Sequence, residues 1–162
     1  MSATAQSTRT EIGHVHLMVA DLERSIRFYT DVLGFQPAGR VGEEIAFLTS
    51  GDYHHRIGLN TRGSRNGARP PAGSTGLFHF AILYPDREAL AAAVRSVLAA
   101  GIPVDGARDH GVSEAVYVRD PDGIGIELYR DRPRDEWPKS DDGSIALVND
   151  PLDLDELLLV QD

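Results

Sequence analysis

The feature that most constrains the fold of this chain is an internal repeat. A strand pattern, a helix pattern and three further strand patterns occur twice, with a period of about 65 residues. His14 lies seven residues before Asp21, and His79 lies seven residues before Asp86. Both aspartates suit the cap of the helix that follows. The repeat predicts an α+β fold of two paired βαβββ modules that form a concave mixed sheet with helices on its outer face.

Each module begins with a strand pattern that has one apolar face and one histidine face. In the first module, the apolar face has Val15, Leu17 and Val19, and the other has His14, His16 and Met18. In the second module, the apolar face has Phe78, Phe80 and Ile82, and the other has His79 and Ala81. We expect the two histidine faces to line a concavity that the modules share.

The last strand pattern, residues 125–129, places a carboxylate between two aliphatic residues. Because successive strand side chains alternate, Ile126 and Leu128 point one way and Glu127 points the other. Burying an unpaired charge is costly, so Glu127 needs either a partner or solvent. Metal coordination and a solvent-facing place at the sheet edge both satisfy this requirement.

The repeat also divides the chain into segments. The predicted segments are a disordered leader at 1–10, a domain at 11–132 and an acidic tail at 133–162. Within the domain, module 1 is predicted at about 11–61, a connecting loop at 62–74 and module 2 at about 75–132. The helices of the modules are predicted at 22–33 and 87–100. In the tail, residues 150–159 are predicted to form a short helix that docks on the body or on a second subunit, because isolated short helices are marginal.

Composition argues against several classes of function. The net charge of −9 and the lack of a basic block argue against a nucleic-acid partner. There is no apolar run of 18 residues and no hydrophobic signal core near the N-terminus, so we expect a cytoplasmic protein without a membrane partner. The chain has no cysteine, which excludes disulfides, thiolate catalysis and cysteine zinc sites.

Two histidines and one carboxylate from three strands can form a facial triad for a divalent metal. Such a triad leaves positions open for substrate and dioxygen, as in non-haem Fe(II) oxygenases. The candidates are His14, His79 and Glu127. His16 shares a strand face with His14 and could replace it chemically.

Six short motifs resemble those of the vicinal oxygen chelate superfamily, which contains glyoxalases, bleomycin resistance proteins and extradiol dioxygenases. They are 14–22 (HVHLMVADL), 28–35 (FYTDVLGF), 54–60 (HHRIGLN), 76–80 (GLFHF), 109–114 (DHGVSE) and 120–123 (DPDG) with its following Glu127. The resemblance spans about residues 11–137. Within the superfamily, the motifs look most like those of a single-domain extradiol ring-cleaving dioxygenase of the catechol 2,3-dioxygenase type.

The resemblance implies metal ligands at His14, His79 and Glu127. It selects His14 over His16, because the family's ligand precedes the Leu-x-Val-x-Asp run by three residues. It also implies Fe(II), with Mn(II) or another divalent metal as alternatives that the same ligands can bind. The implied partners are a catechol-type aromatic substrate, dioxygen and further copies of the chain in a homodimer or higher homo-oligomer.

Three more residues match catalytic positions of extradiol enzymes. His55 resembles the histidine that shuttles protons, and His110 resembles the histidine that contacts a catecholic oxygen. Tyr117 resembles the tyrosine that hydrogen-bonds the other oxygen. Each could instead have a structural role: the histidines as surface residues or as core residues with satisfied hydrogen bonds, and the tyrosine as an ordinary strand aromatic. His54 fits this structural interpretation.

Three other functions share this frame. A glyoxalase-type isomerase or lyase presents a fourth protein ligand, and residues 54–60 contain no carboxylate, although His55 could ligate. A metal-free drug-binding resistance protein generally lacks the triad. A metal-dependent antibiotic-modifying transferase has the triad, but no thiol- or phosphonate-binding cluster is evident here. The sequence therefore favours a dioxygenase and leaves its ring substituents open.

Overall fold

The computed structural model describes residues 11–160, and the predicted leader at 1–10 lies outside them. The first module is a strand, a helix and three strands. These elements are β1 (Val15–Met18), α1 (Leu22–Arg27), β2 (Gln36–Val41), β3 (Ile45–Thr49) and β4 (Ile57–Asn60).

The second module repeats this order. Its elements are β5 (His79–Tyr84), α2 (Arg87–Ala99), β6 (Gly106–Asp109), β7 (Ser113–Arg119) and β8 (Gly125–Asp131). A 3-10 turn (Arg134–Glu136), β9 (Asp150–Pro151) and α3 (Leu154–Leu158) follow. The predicted α+β fold of two βαβββ units is confirmed.

The strands form two mixed sheets, one in each module. Their orders are β1-β4-β3-β2 and β5-β8-β7-β6-β9. In each module the first and last strands of the unit pair in parallel, β1 with β4 and β5 with β8. This pairing places the start of β5 directly beside the strand that carries Glu127.

Both helices begin at the predicted caps. Asp21 and Asp86 accept hydrogen bonds from backbone amides three residues further on, at 3.0 and 2.8 Å. Gly34 and Gly101 follow the helical segments with φ values of 78° and 72°, a conformation that glycine adopts at little cost. The first helix does not stay α-helical over 22–33, since its second half is a π-helical turn at Phe28–Val32.

The core lies on the sheet faces opposite to those that carry the histidines. Fully buried side chains come from both modules and from the C-terminal segment: Val19, Tyr29, Leu59, Val94, Ile126, Leu128 and Leu157. By contrast, His14, His16 and Met18 are exposed, as the alternation in the first strand predicts. The apolar assignment of Phe78 is wrong: its side chain is 84% exposed because it lies just before β5 begins.

A buried hydrogen bond joins the two modules. The Tyr29 hydroxyl, on the helical segment of module 1, donates to Asp120 Oδ2 at 3.0 Å. The other oxygen of Asp120 accepts from the amides of Asp122 and Ile124, at 2.9 and 2.8 Å, and so shapes the turn into β8. Burial outweighs these hydrogen bonds and raises the pKa of Asp120 above its usual value.

The C-terminal segment packs on module 2. The two-residue strand β9 pairs with β6 at the edge of the second sheet, and α3 packs on α2 with Leu157 fully buried. A helix thus forms within the predicted span of 150–159, over Leu154–Leu158 only, and it packs on the body of the same chain.

Candidate active site

The centre of the candidate site is a pair formed by His79 and Glu127. His79 is the first residue of β5, and Glu127 is the third residue of the neighbouring β8. The parallel register aligns His79 with Gly125, so that Glu127 lies diagonally across from it on the same face. His79 Nε2 lies 3.0 Å from Glu127 Oε2.

Gly125 lets the two strands approach closely at this point. A Cβ atom at position 125 would lie 2.3 Å from the carbonyl oxygen of Phe78 and 3.0 Å from the Cβ of His79. Neither neighbour is the end of a flexible side chain, so any larger residue would displace the start of β5. Gly125 therefore fixes the position of His79, at the start of β5, relative to Glu127.

Tyr117 fixes the other oxygen of the carboxylate. It lies directly opposite Glu127 in the antiparallel β7–β8 pair, and its hydroxyl donates to Glu127 Oε1 at 3.1 Å. Desolvation, followed by the charge of Glu127, raises the pKa of Tyr117 to about 12. The phenol therefore remains a hydrogen-bond donor at neutral pH, and it leaves Glu127 Oε2 facing His79.

His110 extends this hydrogen-bond chain. Its Nε2 lies 2.8 Å from the Tyr117 hydroxyl, and its Nδ1 lies 3.1 Å from the carbonyl oxygen of Val148. The carbonyl can only accept, and the Tyr117 hydrogen is already donated to Glu127. Nδ1 of His110 is therefore the donor to the carbonyl oxygen of Val148. The four predicted residues His79, His110, Tyr117 and Glu127 are thus brought together.

The histidines of module 1 form a second group. The rings of His14 and His55 have centroids 4.6 Å apart, and Nδ1 of His54 lies 2.6 Å from Nδ1 of His55. Phe47 of β3 also packs on His55, with a centroid distance of 4.8 Å. The strand predicted over 53–60 begins only at Ile57, so both histidines of the HH pair lie on the preceding loop.

The surroundings of His55 favour its neutral form. Desolvation lowers its pKa, and the charges that His54, His14 and His16 carry when protonated lower it further. A neutral imidazole at physiological pH can accept a proton. This property fits the proton-transfer role that the resemblance implies for His55.

His16 has a different setting from His14. Its ring lies over Gly58 of β4, where an added Cβ would come within 2.9 Å of the ring carbons. Its ring also meets Phe47 edge-on, with a centroid distance of 6.0 Å. These contacts make His16 part of a packed layer beside the histidine group of module 1.

Within one chain, the structure does not bring all of the predicted metal ligands together. His79 and Glu127 are in contact, whereas His14 lies with His55 in the other group. Over residues 11–160, no group of three or more histidine, aspartate or glutamate side chains could hold a metal ion. Within one chain, the histidines therefore do not line one shared concavity as expected but form two separate groups. The triad of His14, His79 and Glu127 remains a prediction.

The geometry of the His79–Glu127 pair fits two adjacent ligands of one divalent ion. Histidine nitrogen and carboxylate oxygen bind such ions at about 2.0–2.2 Å. Two such ligands at a right angle would be separated by about 3 Å, as His79 Nε2 and Glu127 Oε2 are. The hydrogen bond from Tyr117 orients the carboxylate, which is a common feature of protein metal sites.

The loop predicted at 62–74 crosses from module 1 to the turn before β8. Ser64 Oγ donates to the carbonyl oxygen of Val19 at 2.9 Å, and Arg69 donates to that of Pro121 at 3.0 Å. The loop lines an open cleft together with His16 and Ile124. It therefore borders the face on which the module 1 histidines lie.

Sequence reasoning overlooked Arg108 and Phe47. Arg108 lies in β6 two residues before His110, so the period of two in a strand could have placed both on one face. The same period of two in β3 could have placed Phe47 on the face opposite to that of its buried neighbours Ala46 and Leu48. The carbonyl of Val148 could not have been found in this way, because it reaches His110 from a distant segment without a sequence pattern.

Comparison with known proteins places this architecture in a family. Residues 11–128 match the model of the Glyoxalase/Bleomycin resistance protein/Dioxygenase superfamily. The chain belongs to this superfamily. It is 39% identical to a catechol-2,3-dioxygenase of Bacillus subtilis over 150 residues, which cover 92% of this chain and 51% of that protein. It is 32% identical to biphenyl-2,3-diol 1,2-dioxygenase 3 of Rhodococcus globerulus, over 74% of this chain and 63% of that enzyme.

The chain thus spans between half and two thirds of the length of the two dioxygenases. Among solved structures, it is similar to a lactoylglutathione lyase from Agrobacterium tumefaciens, with a TM-score of 0.60 and 26% identity. That match covers 76% of this chain and 95% of the lyase. The relatives therefore include both dioxygenases and a lyase. Among the described residues, no helix is both long and apolar enough to span a membrane.

Proposed function

We propose that this protein is a metal-dependent extradiol dioxygenase that cleaves the ring of a catechol-type aromatic. The observation that carries the proposal is the convergence of His79 Nε2 and Glu127 Oε2 at 3.0 Å, with Tyr117 holding the other carboxylate oxygen. The similarity to two dioxygenases supports the choice of reaction.

His79 and Glu127 would hold the metal, which we propose to be Fe(II), with Mn(II) as the alternative. We propose His14 as the third ligand, contributed by a second copy of the chain. Support for this comes from the exposed position of His14 and from its separation from the His79–Glu127 pair within one chain. The active form would then be a homodimer with two equivalent sites.

The bound metal would supply Lewis acidity and open coordination positions for substrate and dioxygen. The protein residues supply orientation and proton transfer. The Tyr117 hydroxyl and the His110 ring lie beside Glu127. To hydrogen-bond the oxygens of a bound catechol, they would exchange their present contacts with Glu127 and with each other for contacts with the substrate. His55 lies beside His14, so the second copy that contributes His14 would also contribute its His55. Its lowered pKa favours the neutral form, which would accept a proton from a substrate hydroxyl.

The test is purification without oxygen in the presence of Fe(II), followed by metal analysis and a screen of catechols. We expect oxygen uptake together with a yellow ring-opened product. His79→Ala should lose bound metal and activity together, because it removes a ligand. Metal-loaded protein that consumes no oxygen with any catechol, but isomerises the hemithioacetal of methylglyoxal and glutathione, would contradict the proposal in favour of a glyoxalase-type reaction.

A further inference from the structure

We propose that Arg108 recognises a carboxylate on the substrate, so that the favoured substrates are catechols bearing an anionic ring substituent. This inference rests on the proposed function for the ring chemistry, but it concerns a different part of the ligand. It assigns a specificity role to a residue outside the predicted metal and catalytic set.

The register of the second sheet places Arg108 beside the candidate site. Gly106 pairs with Tyr117 across β6 and β7, so Arg108 is the diagonal neighbour of Tyr117 on the same face. Such diagonal neighbours lie about 7–8 Å apart, within reach of a long side chain. Arg108 and Tyr117 line the same cleft, which also contains His79.

Arg108 differs from the other arginines of this sheet region in having no acidic partner. Arg119 lies 2.7 Å from Asp105, and Arg130 lies 2.9 Å from the buried Glu114. Arg108 is exposed and donates only to the carbonyl oxygen of its neighbour Ala107. It forms no ion pair with a carboxylate anywhere in residues 11–160. Its positive charge is therefore available to a ligand.

Small residues flank Tyr117 on the face of the sheet that carries Arg108. Gly106 lies opposite Tyr117, and Ala115 lies opposite Arg108. On β5, which pairs with the other edge of β8, Ala81 lies opposite Glu127. The cleft that Arg108 lines has a volume of about 350 Å³, near the lower end of the range for small-molecule sites of about 300–1,000 Å³. This size suits a single aromatic ring with a short substituent.

A carboxylate is the anion that best fits this arrangement. The planar guanidinium of arginine can donate two parallel hydrogen bonds to the two oxygens of one carboxylate. A ring whose hydroxyls lie at the His79–Glu127 pair would direct its opposite edge away from that pair along the same face. A carboxylate on that edge would meet Arg108, whereas an unsubstituted catechol would leave the guanidinium in water.

The experiment compares two ligands of nearly equal size, 3,4-dihydroxybenzoate and its neutral amide, 3,4-dihydroxybenzamide. Their dissociation constants are measured without oxygen on the metal-loaded full chain. We expect the wild-type protein to bind the acid more tightly than the amide by about 10- to 100-fold, as a charge-assisted pair provides. Arg108→Gln should abolish that preference while the affinity for the amide stays the same, and Arg108→Lys should keep part of it.

Arg27→Gln is the matched control, because it removes the same charge from an exposed position on α1. At physiological salt its field is screened within about 8 Å, so the preference should not change. Equal binding of acid and amide by the wild-type protein, an unchanged preference in Arg108→Gln, or binding of neither ligand would overturn the proposal. Because binding is measured without turnover, an Arg108-dependent preference would stand even if no catechol were cleaved. Ring cleavage without the preference would leave the proposed function standing alone.

Discussion

At the scale of single residues, the candidate site is a hydrogen-bond chain in which each side chain orients the next. Val148 and Tyr117 hold His110, Tyr117 holds one oxygen of Glu127, and the other oxygen faces His79. The Tyr117 hydroxyl contacts both His110 and the carboxylate of Glu127. Removing that hydroxyl should therefore affect turnover more than metal retention.

We expect Tyr117→Phe to keep its metal and to lower kcat by roughly 100-fold, the scale found when one preorganised donor is lost. Metal analysis and steady-state oxygen uptake on the same preparation measure the two effects. Tyr129→Phe is the matched control, since Tyr129 lies on the same face of β8 as Glu127, two residues further along the strand. If Tyr117→Phe turned over as fast as Tyr129→Phe, the assigned role of Tyr117 would be wrong.

Much of this residue-scale arrangement could be predicted from the sequence, because it follows from strand alternation. A period of two put Glu127 opposite to Ile126 and Leu128, and put His14 and His16 on the exposed face of β1. The partners of His55 could not be predicted in this way. They lie on a loop and on a neighbouring strand, and no local periodicity relates those positions.

At the scale of elements, the edge of the second sheet depends on Asp109 at the end of β6. Its Oδ1 accepts from the amide of Gly111 at 2.8 Å, and its Oδ2 accepts from Arg132 at 2.5 Å. Partial desolvation acts to raise the pKa of Asp109, but the hydrogen bonds to Gly111 and Arg132 together with the Arg132 charge outweigh it. The net effect is a lowered pKa in the folded state. The ionised form therefore stabilises the turn that presents His110.

Because the folded-state pKa of Asp109 lies below its unfolded value, its contribution is present above about pH 4 and is lost as the pH falls through the folded-state pKa. We expect Asp109→Asn to lower the free energy of unfolding by about 1–2 kcal/mol at pH 7. The difference from wild type should shrink as the pH falls below 4. Urea unfolding across this range measures it, with the exposed Asp141→Asn as control. A difference that stayed constant down to pH 2 would contradict the assignment.

At the scale of the whole molecule, the sequence repeat predicted the two modules but not how they are joined. The joint depends on a few contacts between distant residues, such as the Tyr29–Asp120 hydrogen bond and the one from Ser96 to the carbonyl oxygen of Val32 at 2.8 Å. Neither contact has a periodic signature in the sequence. Within one chain the histidines form two separate groups, and we propose that a second copy of the chain brings them together.

The most direct test of the central claim mixes two inactive variants, His14→Ala and Glu127→Ala, by co-expression followed by metal loading. In a mixed dimer, His14 of one subunit and the intact His79–Glu127 pair of the other would form one complete site. We expect an equal mixture to recover about a quarter of the wild-type metal content and ring-cleaving activity, since half of the dimers are mixed and each has one good site of two. Mixed dimers that form but bind no more metal and cleave no more catechol than either variant alone would contradict the account.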